Sequence, residues 1–397
     1  MKRGRIAFVT PWFGESIPGG AEMALRGLAR HLHEAGLDLE ILTTCVEQFS
    51  SDWNVDYYKP GINNWDGIPV RRFPVRKRDT AAFDRVNAKL IQGLPITQSE
   101  EEIFMVEMVN SPELYAYITA NEDSYALFVF IPYMFGTTYY GIKACPKKSL
   151  LIPCLHRESY AYFSKFKKLF TKVQGMIFLS EPEYLLAQEI YDLKNIKTEV
   201  IGTGIDTNIY GNAERFRKKY NIQQPFILYA GRKDVGKNVD TLLHYFEIYK
   251  RRRLNDLRLV LIGGGSIEIP ASIKDSIIDL GFVPTQDKYD AYNAATVLCQ
   301  PSKNESFSLV IMESWLCTRP VLVHAHCDVT KSFAIRSQGG LYFSDYWEFE
   351  GCIDFFKKNH NKANQMGSLG RRYVLENFDW PVVVERYRRY FQHFQLI

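Results

Sequence analysis

The stretch that most constrains what this 397-residue chain can fold into runs from Thr296 to His324. Thr296-Val-Leu-Cys299 is a short apolar run that reads as a buried strand, and Pro301 and Asn304 interrupt it. Ser308 is suited to cap a helix, and Leu309, Met312 and Leu316 then recur at helical spacing. Thr318-Arg319-Pro320 stops that helix, and Val321-Leu-Val starts another strand. Strand, loop, helix and strand in this order build a parallel α/β sheet. Glu305 lies in the loop and Glu313 about a turn inside the helix. A helix start presents unpaired backbone N–H groups and a partial positive charge, which suits phosphate. The pattern therefore fits a ligand with a diphosphate in its middle and hydroxyl-rich groups at both ends. Taken alone, two glutamates on a solvated helix are the commoner meaning of such spacing, so the rest of the chain has to decide.

The neighbouring segments repeat the alternation. Phe226-Ile-Leu-Tyr-Ala is a strand closed by Gly231-Arg232, and Lys237-Asn-Val-Asp240 opens a helix reaching about Arg253. Two cations just after a buried strand can neutralise a diphosphate leaving group. Leu257 to Ile262 is a strand, a helix is expected near 271–280, and another over Gln286–Ala295. Gly263-Gly-Gly265 resembles a nucleotide loop, but Glu268 and Pro270 break the dinucleotide pattern.

The first half starts with a strand, Arg5-Ile-Ala-Phe-Val-Thr10, a loop holding Pro11-Trp-Phe-Gly14 and Pro18-Gly19-Gly20, a helix over Ala21–Glu34 and a strand from Leu39. This βαβ unit has neither the G-x-G-x-x-G fingerprint nor a P-loop lysine. Arg71, Arg72, Arg76, Lys77 and Arg78 form a basic run expected to begin as an edge strand, where cations deter aggregation. Its sharper meaning is a surface for anionic lipid or a pyrophosphate-linked acceptor. Helices are expected from Thr80, Ser99 and Ser111, a buried strand from Tyr125, and a second over Ser149–His156 that ends on His156. Glu158–Lys172 reads as one aromatic and basic helix. Strand ends are where open α/β sheets place their sites, which singles out His156.

Length favours two domains over one core. A net charge of +4 gives no general case for nucleic-acid binding. Seven scattered cysteines without a CxxC read as buried reduced thiols of a cytoplasmic protein. The opening residues run into a strand without a signal peptide, and no apolar run approaches the roughly 18 residues of a membrane span. Two glycines in Gly202-Thr-Gly-Ile-Asp206 suit a hinge, which sets the boundary near 204.

Glu305 and Glu313 in Glu-x7-Glu, with Gly231-Arg232-x4-Lys237-Asn-Val-Asp240 upstream, resemble the retaining GT-B glycosyltransferases of the large group-4 family. The likeness is specific over about 226–325 and looser before 200. The family usually reads Pro-Ser-x-x-Glu-Gly-Phe-Gly-Leu, whereas Ser306 and Ser308 stand at the two glycine positions here. That change is tolerable where the loop avoids positive φ. The resemblance implies two Rossmann-like doubly wound α/β domains facing a cleft. Residues 1–204 would bind acceptor, 205–379 would bind the nucleotide-sugar donor, and a C-terminal helix over 380–397 would cross back to the first domain. It implies transfer of a sugar from a nucleotide-diphosphate sugar to an acceptor hydroxyl with retention, in cell-surface polysaccharide or glycolipid synthesis, by a hexosyltransferase-type enzyme. His156, Arg232, Lys237 and Glu305 would be catalytic. Gly19, Gly20, Gly231, Val283, Ser306, Phe307, Ser308, Leu309, Val310 and Glu313 would hold donor. No metal or other cofactor is implied, and no Asp-x-Asp is present. The expected partners are the nucleotide sugar and a carbohydrate or lipid-linked acceptor, with peripheral contact at the inner face of the membrane and no nucleic acid. A nucleotide-sugar epimerase of the same fold and a non-catalytic nucleotide-sugar-binding subunit remain alternatives.

Overall fold

The computed structural model describes residues 4–17 and 19–394. The basic start, Pro18 of the first loop and the last three residues of the expected terminal helix lie outside the described residues. The chain divides into two compact units, Met1–Gly204 with Val383–Ile397, and Ile205–Val382.

In the first unit the strands are β1 (Arg5–Thr10), β2 (Leu39–Thr44), β3 (Gly61–Trp65), β4 (Ile68–Phe73), β5 (Tyr125–Phe130), β6 (Ser149–Leu151), β7 (Gly175–Phe178) and β8 (Lys197–Val200). Their order is β3-β4-β2-β1-β5-β6-β7-β8. Every neighbouring pair is parallel except β3 with β4. Strands such as β2 and β7 are buried along their whole length, as expected where helices cover both faces. The edge is β3, so the basic run begins on an inner strand and not on an edge as its composition suggested. Stacked rings, Phe83 on Phe104 and Phe163 on Phe166 on Phe170, fill part of the core.

The second unit holds β9 (Phe226–Ala230), β10 (Arg258–Ile262), β11 (Ile277–Asp279), β12 (Val297–Gln300), β13 (Val321–His324) and β14 (Gly340–Phe343). Their order is β11-β10-β9-β12-β13-β14, all parallel. The chain reverses its direction of sheet growth between β9 and β12. Open α/β sheets bind ligands outside the carboxyl ends of strands at such a point.

Several expected elements differ. Glu158–Lys172 is not one helix. It is a 3-10 turn Ser159–Tyr162, a short helix Ser164–Leu169 and a second turn Phe170–Lys172. Phe163, Phe166, Leu169 and Phe170 are buried, so core packing overrides helical continuity. The region near 271–280 is a 3-10 segment Ala271–Ser276 leading into β11. The strand expected over Ser149–His156 stops at Leu151, just before Ile152-Pro153. The helices of the least regular segment span Thr80–Ile91, Gln98–Glu107 and Pro112–Asn121, capped by Asp79, Thr97 and Ser111. The last helix, Trp380–Gln392, is tied into the first unit by the Tyr390 hydroxyl, which donates to the Lys197 carbonyl at 2.8 Å. All seven cysteines are free thiols and six are buried. Among the described residues no helix is long and apolar enough to cross a membrane.

Candidate functional site

In the second unit Gly231, Arg232, Lys237 and Glu305 lie in the loops after β9 and β12, at the switch point, whereas Val283 follows the edge strand β11. After β9, Gly231 donates its N–H to the Ile262 carbonyl at 2.9 Å. The Gly231 carbonyl lies so close to Gly263 that a Cβ there would collide with it, so the two backbones meet only because residue 263 is glycine. Arg232 is mostly exposed and pairs with Asp234. Asp234 also caps the turn Val235–Lys237 through the Lys237 N–H at 2.9 Å. Lys237 Nζ reaches Glu305 Oε1 at 2.7 Å, joining the loop after β9 to the loop after β12. The Glu305 side chain is only 11% exposed and the lysine 29%, so the pair is partly shielded from water. Asn238, left-handed at φ 58, donates to the Pro301 carbonyl at 2.9 Å and fixes the same two loops.

The helix after β12 spans Leu309–Leu316. Its first N–H groups have no partner within the helix, as at any helix start. Ser308 occupies the cap position, but its side chain makes no capping bond. It sits at φ 77 with a buried hydroxyl that has no hydrogen-bond partner. The condition that would make serine strain-free, a loop without positive φ, is not met at Ser308: the backbone keeps the turn a glycine would make, and serine bears the strain. Ser306 is not in that region. The Phe307 ring is buried edge-on against Phe333 and Phe378, so it anchors the loop and leaves only its backbone for the site. Leu309 and Val310 are half-buried at the helix start.

Glu313 is buried and held at both oxygens, by Lys288 Nζ at 2.7 Å and by the Tyr292 hydroxyl at 2.8 Å. Burial together with the Glu313 charge pushes the Tyr292 phenol well up, so it stays a donor. Val283 is half-buried after β11, next to Phe282, whose exposed ring lies beside Gly264. Sequence reasoning missed Asp234, Asn238, Lys288 and Tyr292. Lys288 and Tyr292 share a face of the helix Thr285–Ala294 at i, i+4, but only tertiary contact shows that this face meets Glu313.

The first unit has its own reversal, between β1 and β5. The loop after β1 is fastened by the Thr44 hydroxyl to the Pro11 carbonyl at 2.6 Å and by Arg26 to the Gly14 and Ile17 carbonyls at 3.0 and 2.8 Å. Trp12 Nε1 donates to Glu22 at 2.6 Å. Gly19 has φ 137 and would strike Glu22 with a Cβ, whereas Gly20 has open space around it. His156 lies in the loop beyond β6 and not on the strand end, with Nδ1 3.4 Å from Glu158. Buried Glu183 accepts from the Leu155 and Leu179 N–H groups, each at 2.6 Å, and so holds the loops after β6 and β7. Burial pushes its carboxyl up to about 7.

The basic run 71–78 is largely spent inside the fold. Arg71 pairs with buried Glu40 at 2.9 Å, Arg72 donates to the Phe13 carbonyl and stacks 3.9 Å over Tyr58, Arg76 pairs with Glu107 at 2.6 Å, and Arg78 lies over Trp53. Lys77 is the exposed member.

Two parallel-sheet Rossmann-like units in one chain define the GT-B class of fold. Over 98% of this chain and 99% of the other, the structure matches a sucrose-phosphate synthase from Thermosynechococcus elongatus with a TM-score of 0.74 at 17% identity. HepE from Anabaena, solved with UDP-glucose, matches at TM-score 0.69 and 14% identity over 98% of this chain and 100% of that one. Residues 212–373 match the family model described as Glycosyl transferases group 1. A D-inositol 3-phosphate glycosyltransferase of Frankia alni is 29% identical over 52% of this chain and 55% of its own length. One of Saccharomonospora viridis is 30% identical over 34% and 35%. The chain thus spans about half or less of the length of these curated relatives.

Proposed function

We propose that the protein transfers a sugar from a nucleotide-diphosphate sugar to an acceptor hydroxyl with retention at the anomeric carbon, the second unit holding the donor and the first unit the acceptor. The observation that carries this reading is the Lys237–Glu305 pair beside the start of the Leu309–Leu316 helix, at the switch point of an all-parallel sheet. Arg232 and Lys237 would take the diphosphate, with the backbone of Ser306–Val310 and the helix start as further donors. Glu305 would meet the transferred sugar and Glu313 the ribose. Gly231 and Val283 would line the phosphate and base positions. In the first unit Gly19 and Gly20 would approach the donor by backbone, and His156 the sugar.

The bond between the anomeric carbon and the diphosphate oxygen breaks, and a bond to the acceptor oxygen forms on the same face. The acceptor proton passes to a donor phosphate oxygen, so no protein nucleophile is required. Leaving-group charge then falls on Arg232 and Lys237 and on the helix start, without a metal in this reading. Solved structures of similar fold contain UDP-glucose and UDP-2-fluoro glucose, which makes uridine diphosphate the first nucleotide to test. The acceptor in this reading belongs to cell-surface polysaccharide or glycolipid synthesis, at the cytoplasmic face of a membrane.

The test is a thermal-shift screen of UDP, GDP, ADP and dTDP, followed by turnover of the matching sugar nucleotides with and without acceptor. The right diphosphate raises the melting temperature by mass action. Turnover that needs acceptor supports transfer. Conversion of donor alone means an epimerase, and binding without turnover means a non-catalytic subunit.

A further inference from the structure

Away from the switch points, the first unit carries a concavity of about 250 Å³ lined by Lys143, Lys165, Lys168 and Lys172, with Tyr139 and Leu169 in its wall. Lys165 and Lys168 stand three apart on the short helix Ser164–Leu169, Lys172 ends the 3-10 turn that follows, and all three line the same concavity. The opposite face, with Phe166 and Phe170, is packed into the core. Lys143 comes from the last turn of the helix Gly136–Ala144, with its ammonium 5.3 Å from the Tyr139 ring. Lys143 and Lys172 lie shortly before β6 and β7, near the amino ends of those strands and away from the loops that hold His156.

The charges of this concavity are poorly compensated. Lys165 is paired with Glu102. Glu101, a buried carboxylate on the adjoining helix Gln98–Glu107, is occupied by the Lys165 N–H at 2.6 Å and by the Ser164 hydroxyl. Among the described residues, Lys168 and Lys172 have no carboxylate partner, and Lys143 has only ring faces. Ammonium groups gathered at a concave, partly apolar wall repel one another more than they would on a convex surface, and an anion relieves that repulsion. The volume is below the range of pockets that enclose a whole drug-sized ligand, so it suits a compact charged group. We propose that this concavity is a phosphate-binding site, separate from the donor site, that takes a diphosphate-sized anion on Lys143, Lys168 and Lys172. It does not depend on the proposed sugar transfer.

The probe is inorganic pyrophosphate at low salt, read by lysine acetylation with mass spectrometry and by calorimetry. Saturating pyrophosphate should lower acetylation of Lys143, Lys168 and Lys172 about fivefold or more, while exposed Lys358 and Lys362 of the other unit are unchanged. The triple variant Lys143→Gln, Lys168→Gln, Lys172→Gln leaves the Lys165–Glu102 pair intact and should lose about tenfold or more in affinity at this site, with a melting temperature that does not fall. Lys237→Ala should leave the protection pattern as it is. Equal protection of all exposed lysines, or the same titration in wild type and triple variant, overturns the proposal. A second arm decides the source of the phosphate. Competition by vesicles of phosphatidylglycerol in phosphatidylcholine, lost in the triple variant, assigns a lipid headgroup. Pyrophosphate binding that such vesicles leave untouched assigns a free phosphorylated molecule.

Discussion

Two regions rich in cations sit on two sheets of the same kind, and they use charge in opposite ways. In the basic run of the first unit, Arg71, Arg72, Arg76 and Arg78 lie on aromatic rings, main-chain carbonyls and the carboxylates of Glu40 and Glu107. At the β9–β12 switch point, Arg232 and Lys237 pair with carboxylates from short loops, close in sequence to a helix start that has no side-chain cap. A guanidinium stacked on a ring and bonded to carbonyls holds structure together. A partly exposed ammonium bridging two loops has a partner it can exchange, and in the proposed reading Lys237 turns to the diphosphate. The difference shows that density of positive charge in a sequence says little about function until the partners are known.

The largest effects should come from the switch point. Glu305→Gln is expected to lower kcat and Glu313→Gln to raise donor KM, each by one to two decades, because a charged hydrogen bond is worth roughly 1.5–3 kcal/mol. Steady-state kinetics on folded variants separates the two, and an equal drop in kcat with KM untouched breaks the assignment. Lys237→Ala should weaken a nucleoside diphosphate by a similar factor and the nucleoside hardly at all, with little change in melting temperature. Arg72→Ala should do the reverse. It removes a buried bond to the Phe13 carbonyl and the contact with Tyr58, so stability should fall by about 2 kcal/mol in chemical denaturation while nucleotide affinity holds. If Arg72→Ala instead weakens the nucleotide and spares stability, the contrast between the regions collapses.

A pH effect sharpens the picture of the second unit. His324 ends β13 in a buried position beside Phe343, and burial, with Lys303 and His326 nearby, holds its imidazole down to about 4. Its folded value lies below its unfolded one, so the unfolded chain binds the extra proton first. Stability from this residue is present above about pH 6.5 and is lost as pH falls toward 4. Melting followed across that window should show the loss in wild type and a flatter profile in His324→Phe. The smallest expected effect is at Ser308. Ser308→Gly should relieve the left-handed backbone and remove a buried unpaired hydroxyl, raising stability by about 1 kcal/mol in urea denaturation.

Much of the second unit was legible because its signals are local. The apolar runs around Phe226, Leu259 and Leu298, the break at Pro320 and the two cations after β9 each follow from a few adjacent residues. The first unit was less legible between 80 and 172. There the helices are short, and the aromatic positions follow a core assembled from distant segments, such as Phe83 on Phe104. Periodicity over Glu158–Lys172 could not reveal that the segment bends to keep Phe163, Phe166 and Phe170 stacked. The strand expected to reach His156 was cut short near a proline whose effect could be weighed only against its neighbours.

By itself the sequence determined the alternation of strands and helices and the placing of Glu305 and Glu313 on a loop and a helix, because spacing and turn chemistry are properties of neighbouring residues. Tertiary structure decided which charges are free to work. It set Arg72 under Tyr58 and gave Lys237 to Glu305. It closed Lys288 and Tyr292 on Glu313, and it forced Ser308 into the left-handed region. Partners such as these lie tens of residues apart, and the strand order that brings them together is a property of the folded sheet, which no local pattern encodes.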